Sequence, residues 1–103
     1  MSYKTGQNVR LGKNLEIGDN VVIEDKVFLG NNVSLGDNVL IRKGAVIGSN
    51  VIIGYRDANP DKNAAVQLAV TEIGEGVKLR SGSVIYWGTR IGSNSMIGHN
   101  MER

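Results

Sequence analysis

Val21-Val22-Ile23-Glu24-Asp25-Lys26, Val27-Phe28-Leu29-Gly30-Asn31-Asn32 and Val33-Ser34-Leu35-Gly36-Asp37-Asn38 are three consecutive variants of one six-residue unit. Working outward, Leu11, Ile17, Ile23, Leu29, Leu35, Ile41, Ile47 and Ile53 recur at intervals of six, and Ile73, Leu79, Ile85, Ile91 and Ile97 resume the interval after a break. All 13 anchors are Leu or Ile. An amphipathic α-helix would place its apolar residues three, four and seven apart, so this period excludes one. Two residues before most anchors stands another aliphatic residue, such as Val9, Leu15, Val21 or Val51. One residue separates the pair, so both point to the same face of a short strand. Three residues after the anchor comes Asn seven times and Gly four times, and Gly directly follows nine of the 13 anchors. Asn and Gly tolerate the left-handed backbone region best. Each unit therefore reads as a short strand followed by a bend with positive φ.

Composition removes several functional classes. The 103 residues carry a net charge of +2, with Lys and Arg scattered singly, so no nucleic-acid partner is expected. With no Cys there is no disulfide framework and no thiolate metal site. One His per chain argues against a three-His zinc centre, and no metal is expected. No Walker-type phosphate loop is present. No apolar stretch approaches the roughly 18 residues that cross a bilayer, so no membrane insertion is expected. Met1 to Arg10 is polar, unlike a secretory leader, which points to a cytoplasmic location.

These units resemble the hexapeptide repeat of left-handed β-helix proteins, over residues 9–53 and 71–101. The resemblance implies an all-β left-handed parallel β-helix, a triangular prism in which three repeats make one 18-residue coil. The 13 repeats then make about four to five coils, in a single domain spanning 1–103. Ile53 and Ile73 are 20 apart, one repeat plus 14 residues, so an external loop is expected at about 54–72. It opens with polar, turn-prone residues from Gly54 to Asn63 and ends with the apolar run Ala64 to Val70, expected on a coil face or a neighbouring subunit. In the resembling enzymes such loops commonly overhang the active site. Arg103 falls where an aliphatic anchor belongs, so the chain reads as truncated at its C-terminus or as ending against a partner.

The finer resemblance is to hexapeptide-repeat acyltransferases of the sugar acetyltransferase kind. Ile97-Gly98-His99-Asn100 resembles their Gly-His-Asn segment, and Arg80-Ser81-Gly82 followed by Tyr86-Trp87 resembles their Arg-Ser-Gly stretch and aromatic turn. The likeness implies direct acyl transfer from acetyl-CoA, as co-substrate, to a hydroxyl or amine of a sugar or nucleotide sugar, as in polysaccharide biosynthesis. His99 is the expected catalytic general base, since imidazole titrates near neutrality. Asn100, Arg80, Tyr86, Trp87, Tyr55 and Arg56 are the expected binding residues, with Arg80 reaching a phosphate and the aromatics projecting outward as a contact surface. A homotrimer with sites between subunits is implied. Arg42 is read as a solvated residue, and the hydroxyls of Thr71, Ser83, Thr89 and Ser95 as bonded to nearby backbone carbonyls. The alternative from another class is a non-catalytic β-helix scaffold, or a truncated relative, acting in assembly.

Overall fold

Each six-residue unit folds as two to four residues of strand and a corner. The structure is a computed structural model and describes residues 3–55 and 70–97. Its strands form three parallel sheets. Sheet A stacks β1 (Tyr3–Thr5), β4 (Val21–Ile23), β7 (Val39–Ile41), β10 (Thr71–Ile73) and β13 (Arg90–Ile91). Sheet B stacks β2 (Arg10–Leu11), β5 (Phe28–Leu29), β8 (Val46–Ile47), β11 (Lys78–Leu79) and β14 (Met96–Ile97). Sheet C stacks β3 (Glu16–Ile17), β6 (Ser34–Leu35), β9 (Ile52–Tyr55) and β12 (Val84–Tyr86). The chain visits A, B and C in turn and so winds a parallel β-helix, left-handed as its hexapeptide repeats require.

The register is uniform except at one rung of sheet C, between Ile85 and Tyr86. Tyr3 lies against Val21, Phe28 against Val46 and Ser34 against Ile52, each pair one 18-residue coil apart. Val39 faces Thr71 instead, 32 residues on, which is one coil plus the 14 inserted residues. The next rung returns to 18, with Glu72 facing Arg90. The insertion thus leaves one corner, between sheets C and A, and rejoins it with the register of sheet A intact. The outer parts of the expected 54–72 loop belong to the prism: Gly54 and Tyr55 lie in β9, and Thr71 and Glu72 in β10. Residues 56–69 lie outside the described residues.

The corners are where the Asn and Gly signal is used. Asn8, Asn14, Asn20, Asn32, Asn38, Asn50 and Asn94 all have φ near 60°, and Gly44, Gly76, Gly82 and Gly88 occupy the same slot. Lys26 also sits there with φ 62°, although its side chain gains nothing from that region. The Gly after the anchor has a different cause, namely how closely successive coils approach. A Cβ on Gly48 would lie 2.7 Å from the backbone nitrogen of Ser81.

Inside the prism the anchors and their partners pack into one core. Ile23, Leu29, Ile41, Ile47, Ile53 and Ile73 are fully buried, as are Val21, Val27, Val33, Val39, Val51 and Val77. Thr71 and Ser83 are buried at the same inward position of their repeats, on the sheet A and sheet C sides of the prism. Ser83 Oγ donates to the Arg80 carbonyl at 2.7 Å, as expected. Thr71 differs: its Oγ1 accepts from the Gly88 amide at 2.9 Å. Toward the ends of the described stack burial thins, and Leu11 is 43% exposed.

Arg42 is not simply solvated. Its Nε donates to Glu72 at 3.0 Å and its Nη1 to Glu24 at 3.4 Å, so one guanidinium ties three coils together. The Glu72 hydrogen bond, more than the Glu24 charge, holds its pKa above the ordinary value. Being exposed to water, the pair network contributes little to stability.

Two substitutions test this account by denaturant unfolding. Ile47→Ala, in the middle of the stack, should cost about 2–5 kcal/mol, and Leu11→Ala much less. Lys26→Asn should stabilise by up to about 1 kcal/mol by relieving the left-handed corner.

Candidate functional site

The prism has three edges, and the expected site residues that are described divide between two of them. Arg80 follows β11 and so stands on the edge between sheets B and C. Tyr55, Tyr86 and Trp87 stand on the edge between sheets C and A, where the insertion leaves. Among the described residues, Arg80 is therefore not gathered into one place with Tyr55, Tyr86 and Trp87 within a chain. His99, Asn100 and Arg56 lie outside the described residues.

The edge between C and A is built by an irregularity. Val84 and Ile85 face Ile52 and Ile53, but Tyr86 then faces Tyr55, so β9 carries one extra residue, Gly54, as a bulge. Gly54 has φ 86°, outside the regular corner series, and is buried. A Cβ here would meet Val39 Cγ2 at 3.3 Å and the Gly36 nitrogen at 3.4 Å. Bulges commonly re-aim a side chain. Here the bulge sets the Tyr55 ring against Tyr86, centroids 5.4 Å apart and planes at 66°. Edge-to-face contact suits the ring quadrupoles. Both rings stay about two-fifths exposed, at 42% and 41%, so each offers a face to a ligand. The Trp87 amide donates to the Tyr55 carbonyl at 2.9 Å, which fixes the pair from the backbone.

Trp87 corrects an expectation. It does not project freely: the residue is half-buried and its indole nitrogen is buried. The indole gains more from lying against the prism than from standing in water. Tyr86 projects as expected.

On the edge between B and C, a ladder that sequence reading missed runs through the second residue after each anchor. Asn31 Oδ1 accepts from the Lys13 amide at 2.8 Å, Ser49 Oγ from the Asn31 amide at 3.1 Å, and Ser81 Oγ from the Ser49 amide at 3.2 Å. Asp25 and Asp37 do the same on the other edges, for Gln7 and Asp19. The signal was present as short oxygen-bearing residues 18 apart, which only the coil length makes into a column. Beside this ladder the exposed Arg80 extends its Nη2 to within 3.8 Å of Met96 Sδ. Such a contact holds the guanidinium end without neutralising its charge. Among the described residues no group of three or more His, Cys, Asp or Glu is placed to hold a metal ion.

Gly54→Ala should destabilise by about 1–2 kcal/mol, because it forces an L-residue into the left-handed region. It should also separate the tyrosines, changing the near-UV circular dichroism. An unchanged spectrum would show that the bulge does not set the aromatic pair.

Comparison with known proteins bears on the fold. Residues 26–56 match the family model described as bacterial transferase hexapeptide (six repeats). No curated protein and no solved structure matches the chain. With three in-register parallel sheets and a left-handed corner every sixth residue, the chain is a hexapeptide-repeat β-helix, and its residues 26–56 are similar to the repeats of bacterial transferases.

Proposed function

We propose that this chain is an acyl-CoA-dependent acyltransferase, or part of one, that transfers an acetyl group to a sugar or nucleotide-sugar acceptor. The observation that carries the reading is the transferase-type repeat over residues 26–56, which runs up to the exposed Tyr55–Tyr86 pair. Aromatic rings with open faces suit the apolar side of a pyranose, and the Arg80 guanidinium suits a phosphate of CoA or of a nucleotide sugar. Because these groups stand on different edges of one prism, a complete site needs an edge from each of two neighbouring copies. This fits a homotrimer with sites between subunits.

In the proposed reaction the acceptor hydroxyl or amine attacks the thioester carbonyl of acetyl-CoA. His99 takes the acceptor proton as the new C–O or C–N bond forms. The C–S bond then breaks, and the CoA thiolate leaves and is protonated. No covalent enzyme intermediate and no metal enters the scheme. Asn100 and Arg56 assist binding, and the reaction belongs in the cytoplasm, where acetyl-CoA is available.

Calorimetric titration with acetyl-CoA tests the reading. Saturable micromolar binding is expected. With a competent sugar acceptor, His99→Ala should lower kcat by roughly 10²–10⁴-fold while leaving acetyl-CoA binding in place. No binding up to millimolar acetyl-CoA would instead assign the chain to the non-catalytic scaffold reading.

A further inference from the structure

Charge is segregated around the prism. The outward column of sheet B reads Arg10, Phe28, Val46, Lys78 and Met96, each in register with the next. The edge between B and C adds Lys13 and Arg80. Among the described residues, no acidic residue stands on this face or this edge. The far side is the reverse: Glu16 on sheet C and Asp19 and Asp37 on the edge between C and A, with no basic residue among those described. The third edge, between A and B, is mixed, with Arg42 already paired, and sheet A carries Lys4 and Arg90 together with Glu72.

The cationic face is also apolar. Phe28 is 42% exposed, Val46 37% and Met96 60%. They lie in one line along a sheet of short, parallel, in-register strands. At about 4.8 Å per strand, the column from Arg10 to Met96 covers about 19 Å. Cations at its first and fourth rungs bracket an apolar middle, and the face is free of carboxylates. That combination fits an interfacial surface on which apolar side chains enter the headgroup boundary and Lys or Arg meet anionic lipid.

A second copy of the chain is the other partner with complementary charge, and its geometry argues against it. In a three-sided prism the acidic edge between C and A lies opposite sheet B. A contact between that edge and the sheet B face of the next copy would repeat without closing. A flat anionic surface ends the contact instead.

We propose that the sheet B face, through Arg10, Phe28, Lys78 and Met96, docks the protein on an anionic phospholipid bilayer, with no segment crossing it. Arg80 and the edge between B and C belong to the proposed acyl-transfer site and are left out of this face, so either proposal can fail alone.

Vesicle flotation with mixed phosphatidylglycerol and phosphatidylcholine tests it on the full chain. Binding is expected to fall with added salt and to be absent on phosphatidylcholine alone. Arg10→Gln and Lys78→Gln should each weaken partitioning about five-fold. Phe28→Ser should weaken it while leaving the salt dependence. Glu16→Gln, on the opposite side, should leave it unchanged. Circular dichroism confirms that each variant folds. Equal binding to neutral vesicles, no binding at all, or equal loss in Glu16→Gln would overturn the proposal. So would competition by soluble polyphosphate that removes the Phe28 dependence, or a change of oligomeric state in Lys78→Gln, which would make the face a subunit interface.

Discussion

The backbone ladder between successive coils is the constraint on which everything else depends. Gly6, Gly12 and Gly18 amides donate to the Ile23, Leu29 and Leu35 carbonyls at 2.8–2.9 Å, once on each edge, and each later coil repeats the arrangement. A parallel stack of such short strands has no hairpin to hold it. It survives only if every coil follows the same path, with any extra residues looped out at a corner, and closes on the coil beneath. That requirement sets the left-handed corner every sixth residue, the small residue after the anchor, and the inward pair of side chains. It also makes the stability cooperative along the axis, because a coil buries its anchors only against its neighbours.

Departures from the ladder are where the surface acquires chemical character. The 14-residue insertion keeps the register of sheet A intact across it, so the cost of the insertion stays local. The adjoining bulge at Gly54 breaks the corner series and produces the Tyr55–Tyr86 contact. Replacing the usual Gly after the anchor by Glu24 and Arg42 yields an ion-paired seam, and replacing it by Arg80 yields an exposed cation beside Met96. Since a prism has only three faces and three edges, each such change falls on a defined side.

The fold was legible because its determinants are local and repeated. The anchor at Ile47 and the corner at Asn50 each carry their own message, and 13 repetitions remove ambiguity. Edge assignment was harder. Arg80 and Tyr86 are only six residues apart, so they read as one site, yet six residues is one whole face of the prism. Tyr55 and Tyr86 are distant in sequence and touch, because their pairing depends on the insertion length and on Gly54 taking a bulge, neither of which leaves a periodic trace. Trp87 looked like a projecting aromatic because its slot faces outward in the repeat, but its ring is large enough to fold back. The columns of Asn31, Ser49 and Ser81 were invisible until the coil length was fixed.

The central claim is that 18 residues make one coil and that the insertion adds 14 without shifting the register. Because the chain has no Cys, paired cysteines report this directly. Val46→Cys with Lys78→Cys places two thiols on neighbouring strands of sheet B, on paired Cα positions about 4.8 Å apart, within the reach of a disulfide. Under mild oxidation this pair should cross-link rapidly in the folded protein, as should Phe28→Cys with Val46→Cys. Phe28→Cys with Leu40→Cys, on different faces, should not. Rapid cross-linking of 28 with 40, or failure of 46 with 78, would contradict the coil length and the fold with it.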